Sequence, residues 1–232
     1  MPAFQFHTLK TTDCWQIEND DVRIAIEKKT GWMRSLVFKS NGLDLFKQLR
    51  GGIPGYIGGV RVFDELDRVW YDDRNGDFQV SEPKKKGGHC SFIKSFKNAP
   101  FKLNIRFELD ANGLNWRVEA VKKNRRVSDR SLRVHFLMPI IAGWQCWAPC
   151  KGGEPFAFDG MTTFNYTYNQ HTWVSDDEVV LGMLSHYSPS DNVGFSMAIP
   201  VDERVPAAQL QYQKGDGRMF NWGGMKKQAL DV

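Results

Sequence analysis

Cysteine is scarce: Cys14, Cys90, Cys146 and Cys150 are the only four in 232 residues, too few and too scattered for a disulfide framework to stand in for a core. They read first as buried thiols. A Cys146–Cys150 bridge or a metal pair are the alternatives, although a lone C-x3-C lacks the second pair or histidine partners of a structural zinc site. Long apolar runs are missing too. No stretch of about eighteen apolar residues occurs, and the opening MPAFQFHTLK has no apolar signal core. Neither a membrane partner nor a visible address is expected, so the compartment is left open; a secreted or periplasmic protein whose signal had been removed would look the same.

A dominant charge is absent as well. The 31 basic and 27 acidic residues leave a net +4, short of the field that draws nucleic acid. The basic runs KKK (84–86) and KKNRR (122–126) read as solvated hairpin loops. Helical periodicity is lacking: NGLDLFKQL is the nearest candidate and is too short. No repeat of fixed period suggests a propeller or solenoid.

What the chain does have is strand signal from end to end. A hydrophobic fraction of 41% against 25% charged residues is enough to bury a core, and 21 Gly, 16 Phe and 8 Trp favour β-structure with many turns. VRIAIEKK alternates Val22, Ile24 and Ile26 with polar neighbours; Thr30-Gly31 turns the chain into WMRSLVF, and Asn41-Gly42 turns it again into LDLF. FKLNIRFEL sets Phe101, Leu103, Ile105, Phe107 and Leu109 inward, and DANG returns it through LNWRVEAV with Leu114, Trp116, Val118 and Ala120. SLRVHFLM continues with Leu132, Val134, Phe136 and Met138, leaving His135 on the other face, toward a concave side or solvent. VVLGMLSHY, VGFSMAI and QLQYQ complete about a dozen strands. Two-sided amphipathic strands must bury one face against another sheet. The expectation is an all-β, large antiparallel two-sheet sandwich spanning 1–232 as one domain.

Several stretches invite a chemical reading. GGIPGYIGG (51–59) lacks the Gly-Lys-Ser/Thr ending of a phosphate loop and runs into a strand, so it reads as a loop beside a site. DDRNGDF spaces Asp73, Asn75 and Asp77 as a calcium loop begins, but Phe78 stands where glycine belongs. A hairpin turn at Asn75-Gly76 explains it better, so no cofactor is expected, with calcium as the outside alternative.

The richest segment is 143–173, GWQCWAPCKGGEPFAFDGMTTFNYTYNQHTW. Its rings, among them Trp144, Trp147, Tyr166, Tyr168 and Trp173, are interleaved with Asp159, Asn169 and other polar tips. Sugars suit such a place, stacking their C–H faces on rings and their hydroxyls on Asn, Asp and Glu. Capping one end of the sandwich is the plainer use of the same rings. His171 with Glu154 is the candidate acid/base pair. His186 is a further loop-edge candidate, action on a uronic acid would call for Tyr166 with Arg61 or Arg133 as the cation that neutralises the carboxylate, and no nucleophile elbow or zinc histidine pair is seen.

WQIENDDVRIAIEKKTGWMRSLVFKSNGLDLF resembles the opening of galactose-mutarotase-like β-supersandwich domains, and VGFSMAIPVDERVPA is similar to their late segment where they precede the catalytic barrel of glycoside hydrolases. The resemblance implies two large antiparallel sheets with a carbohydrate-holding concave face. The Asn-His and Tyr-Phe-Asn signature of true mutarotases is not reproduced, NQHTW being the nearest stretch. The first expectation is a non-catalytic, sugar-binding accessory domain of a glycoside hydrolase, with carbohydrate as partner and a catalytic domain following in the same chain. A free-standing epimerase or polysaccharide lyase, or a module docking on a neighbouring domain, are the alternatives.

Overall fold

A computed structural model describes residues 13–48, 57–72, 77–86, 88–111, 113–139, 141, 143–147, 154–157 and 183–198, and the backbone pairing of 164–169, 207–212 and 220–228. Every strand pairing among them is antiparallel. The strands form four hydrogen-bonded sheets. One joins β1 (Cys14–Glu18), β2 (Val22–Glu27) and β3 (Met33–Phe38). A second runs β10 (Gly113–Lys122), β9 (Phe101–Asp110), β8 (His89–Phe96), β6 (Phe78–Val80), with β7 (Lys84–Lys86) also on β8. The largest has six strands in the order β14 (Phe164–Asn169), β17 (Ala207–Tyr212), β18 (Phe220–Gln228), β11 (Arg130–Met138), β4 (Val60–Asp64), β5 (Val69–Tyr71). The fourth is β13 (Phe156–Ala157), β12 (Gln145–Trp147), β15 (Met183–Ser188), β16 (Val193–Ala198). The fold is the expected all-β antiparallel sandwich.

Period-two patterning explains the local structure. β9 alternates without a fault: Phe101, Leu103, Ile105, Phe107 and Leu109 are all buried. Its partner β10 answers with Trp116, which stacks on Phe107 at 5.0 Å and meets Phe136 of β11 edge-on at 5.1 Å. Tyr71 of β5 meets Phe101 at 5.2 Å. The six-stranded and β8–β10 sheets therefore pack face to face through these rings. One face of β4 and β11 enters that core, with Val60, Val62 and Leu132 buried. The other face is turned away from it.

Two expectations are corrected. KKK is not a free loop: β7 pairs with β8, Lys84 opposite Ser91, because ladder hydrogen bonds come from the backbone and leave Lys84 and Lys86 exposed to water. LDLF is not a strand: Asp44, bridged once to Val37, accepts from Ser35 Oγ at 2.7 Å and from the Phe46 N–H at 3.1 Å. That capping turns Leu45–Gln48 into a 3-10 turn whose Leu45 and Phe46 are buried.

Gly58 welds the layers. Its N–H donates to the Leu137 carbonyl and its carbonyl accepts from Met33 N–H, both at 2.7 Å. With φ at +84° and the Met33 oxygen 1.8 Å from where a Cβ would sit, only glycine fits.

Candidate functional site

The face of the six-stranded sheet turned away from the core carries the chemistry. β4 and β5 form a hairpin held by Asp64, whose Oδ1 accepts from the Leu66 N–H at 3.0 Å and the Asp67 N–H at 3.3 Å, while Oδ2 accepts from Arg130 at 2.6 Å. Register sets Arg61 opposite His135 and Phe63 opposite both Arg133 and Trp70. Directly opposed residues share a face. Arg61, Phe63, Trp70, Arg133 and His135 therefore converge from three strands.

Their contacts form one cluster. The Arg61 guanidinium lies over the Trp70 ring at 4.5 Å, and Trp70 stands edge-on to His135 at 5.1 Å and 4.8 Å from Phe63. Arg133 lies 5.5 Å from the Phe63 ring and donates to Glu65 at 2.5 Å. Trp70 is 39% exposed and forms the boundary with solvent.

His135 is the anomaly. It is 5% exposed, and neither Nδ1 nor Nε2 has a hydrogen-bond partner among the described residues. Buried polar atoms left unmatched cost roughly 1–3 kcal/mol each, so such a group calls for an explanation. Burial first, then the positive charges of Arg61 and Arg133, push its pKa down to about 3. At neutral pH it is an uncharged imidazole with one donor and one acceptor to offer. It is well suited to bind a hydroxyl and, this low, a weak general base.

The same rows extend across the sheet by backbone register. The His135 row continues through Gly223 and Gln209 to Thr167, and the Arg133 row through Met225 and Ala207 to Asn169. With strands about 4.8 Å apart, Asn169 stands roughly 14 Å from Arg133. Tyr166 and Tyr168 belong to the alternate rows, those of Phe136 with Val60 and of Val134 with Val62. Those rows include the buried Val60 and Val62.

The other sequence candidates are spread out. Trp144 is 6% exposed, within the core and 5.1 Å from the His186 ring. Trp147 ends β12 half-buried, and Glu154 is exposed just before β13. His171, Asp159 and Trp173 lie outside the described residues, as do Asp73, Asn75, Gly76 and Cys150.

Folding also creates a Cys-His contact between residues far apart along the chain. His186 Nδ1 lies 3.1 Å from Cys146 Sγ, and Nε2 accepts from the Ile141 N–H at 2.8 Å. That acceptor role puts the proton on Nδ1. The Nδ1–H therefore faces both the thiol and the Gln145 backbone, and the imidazole cannot deprotonate Cys146. Burial holds His186 down to about 3, and the pair is a structural hydrogen bond. Cys146 is a buried cysteine outside any disulfide.

A hollow of about 1120 Å³ is lined by Trp116, Val118, Phe136, Met138, Phe195 and Met197 among others. It lies on the core side of β11, away from His135, and its walls are mainly apolar. No group of three or more His, Cys, Asp or Glu able to hold a metal occurs among the described residues.

No family model matches the chain, and no curated protein matches it in sequence. Solved structures do. A galactose mutarotase-like protein from Lactobacillus casei superposes with a TM-score of 0.55 at 11% identity, over 91% of this chain and 87% of that one. A galactose mutarotase related enzyme from Lactobacillus acidophilus gives 0.51 at 14% identity, over 91% and 86%. A TPR-domain containing protein from Parabacteroides distasonis gives 0.58 at 13% identity, over 93% of this chain and 43% of that one. The fold is galactose mutarotase-like.

Proposed function

We propose that this chain is a carbohydrate-binding domain whose binding surface is the polar face of the six-stranded sheet, centred on His135. The observation that carries the reading is the buried imidazole with two unmatched nitrogens, set between two guanidiniums and an exposed indole. A sugar hydroxyl supplies part of what it lacks, accepting from the ring N–H or donating to the other nitrogen. Arg61 and Arg133 add fixed donors, and the Trp70 ring offers an apolar surface to a pyranose C–H face.

The role we propose is non-catalytic, an accessory domain of a longer carbohydrate-active chain. The Parabacteroides distasonis likeness, confined to 43% of its chain, is an example of this fold within a larger protein. The low basicity of His135 supports binding over proton transfer. The test is a glycan array followed by calorimetry on the leading oligosaccharide. His135→Ala is expected to weaken binding at least tenfold and Trp70→Ala several-fold, with circular dichroism unchanged. Wild-type protein that binds no glycan, or a His135→Ala variant that binds as well as wild type, would refute the site.

A further inference from the structure

We infer that the ligand is a neutral oligosaccharide of several units, lying across the strands from the Trp70 end of the six-stranded sheet toward β14. The inference rests on the carbohydrate reading above and adds a length and a direction to it. Backbone register carries the face well past His135, whose row continues through Gly223 and Gln209 to Thr167. The row beside it runs from Leu137 through Asn221 and Gln211 to Asn165. From Arg61 on β4 to Thr167 on β14 is four strand steps, roughly 19 Å. One pyranose ring does not reach so far.

Residue type sets these positions apart. On β18, β17 and β14 the rows of His135, Leu137 and Arg133 contain amides, a hydroxyl and small or apolar residues, and none is charged. Lys227, opposite Ser131, lies one row outside them. A face that only meets water is ordinarily studded with Lys, Glu, Asp and Arg. An amide brings a donor and an acceptor together, which matches a hydroxyl that is both, whereas an anionic chain would find no counter-charge along these three strands. The row of Phe136, on the core side, runs instead through Trp222, Leu210 and Tyr166. Gly223 stands directly opposite His135. Glycine weakens a strand interior and marks places where another group approaches the backbone closely, and a sugar unit lying there continues the chain from the imidazole toward Gln209.

The test is a length series, monosaccharide to hexasaccharide, of the glycan that leads the array, titrated calorimetrically into the wild-type chain. The expected result is a neutral leading glycan whose affinity rises at least tenfold from monosaccharide to tetrasaccharide. Gln209→Ala, two strand steps from His135, should remove most of that gain and leave monosaccharide affinity unchanged. Gly223→Val should weaken the tetrasaccharide at least tenfold; both variants are checked for folding by circular dichroism, and Gln209→Ala decides alone if the valine variant does not fold. A monosaccharide binding as tightly as the tetrasaccharide, a length gain that survives Gln209→Ala, or an acidic glycan leading the array would overturn the inference and leave the carbohydrate reading standing. Binding of no glycan at all would overturn both.

Discussion

His135 is held uncharged inside a folded sheet, and this couples stability to pH. An unfolded imidazole takes a proton near 6.5, whereas the folded His135 and His186 resist until about 3. Between these values the unfolded chain binds more protons, so stability falls as pH drops from about 6.5 toward 3 and is level above that window. Each histidine contributes at most roughly 4–5 kcal/mol to this slope. Urea midpoints measured at pH 7, 5.5 and 4.5 should fall steadily, and His135→Leu should flatten the trend. At pH 7 the same variant should be as stable as wild type or more so, since leucine leaves no polar atom unmatched. A variant clearly less stable at pH 7 would mean that His135 is a structural residue.

Two elements hold the site in place. The β4–β5 hairpin supplies Arg61, Phe63 and Trp70, and its turn depends on the fully buried Asp64 and on Arg130. Asp64→Ala leaves Arg130 with Asp67 as its remaining carboxylate and strips the Leu66 and Asp67 N–H groups of their acceptor, freeing the turn at an expected cost of roughly 1–3 kcal/mol, read as a lowered urea midpoint. Gly58→Ala forces a methyl group into the Met33 carbonyl at the seam between β3 and β11, at roughly 2–4 kcal/mol in the same assay. At this scale the sequence is legible where alternation is strict, as in β9. It misleads where composition and backbone disagree. The three lysines of β7 look like a loop from their charge and the flanking Pro83 and Gly87, yet the ladder with β8 needs only their N–H and C=O groups. Asp44 looks like part of a strand until its carboxylate is seen capping the turn that follows.

For the whole molecule, the sandwich leaves two faces of β11 with different tasks. One meets Trp116 across the core; the other bears His135 and Arg133 beside the hairpin. The domain as proposed binds sugars without turning them over. Freshly dissolved α-galactose or α-glucose should therefore approach equilibrium, followed by polarimetry, at the uncatalysed rate in its presence. Acceleration would shift the reading to an epimerase.

Much of this architecture is local in origin. A period of two is written into each strand by the residues themselves, so the all-β class, the inward faces of β9 and β11 and the position of His135 opposite Val134 and Phe136 could be read from the chain alone. Which strands become neighbours could not. Arg61 and Trp70 lie far along the chain from Arg133 and His135, and only the β4–β5 hairpin with the long-range pairing of β4 to β11 brings them together. Along the chain the rings are densest in 143–173, where density in sequence stands in for proximity in space. Within it, Asn169 falls in the register row of Arg133, while Tyr166 and Tyr168 fall in the alternate rows, a distinction set by strand register and by nothing in the segment itself.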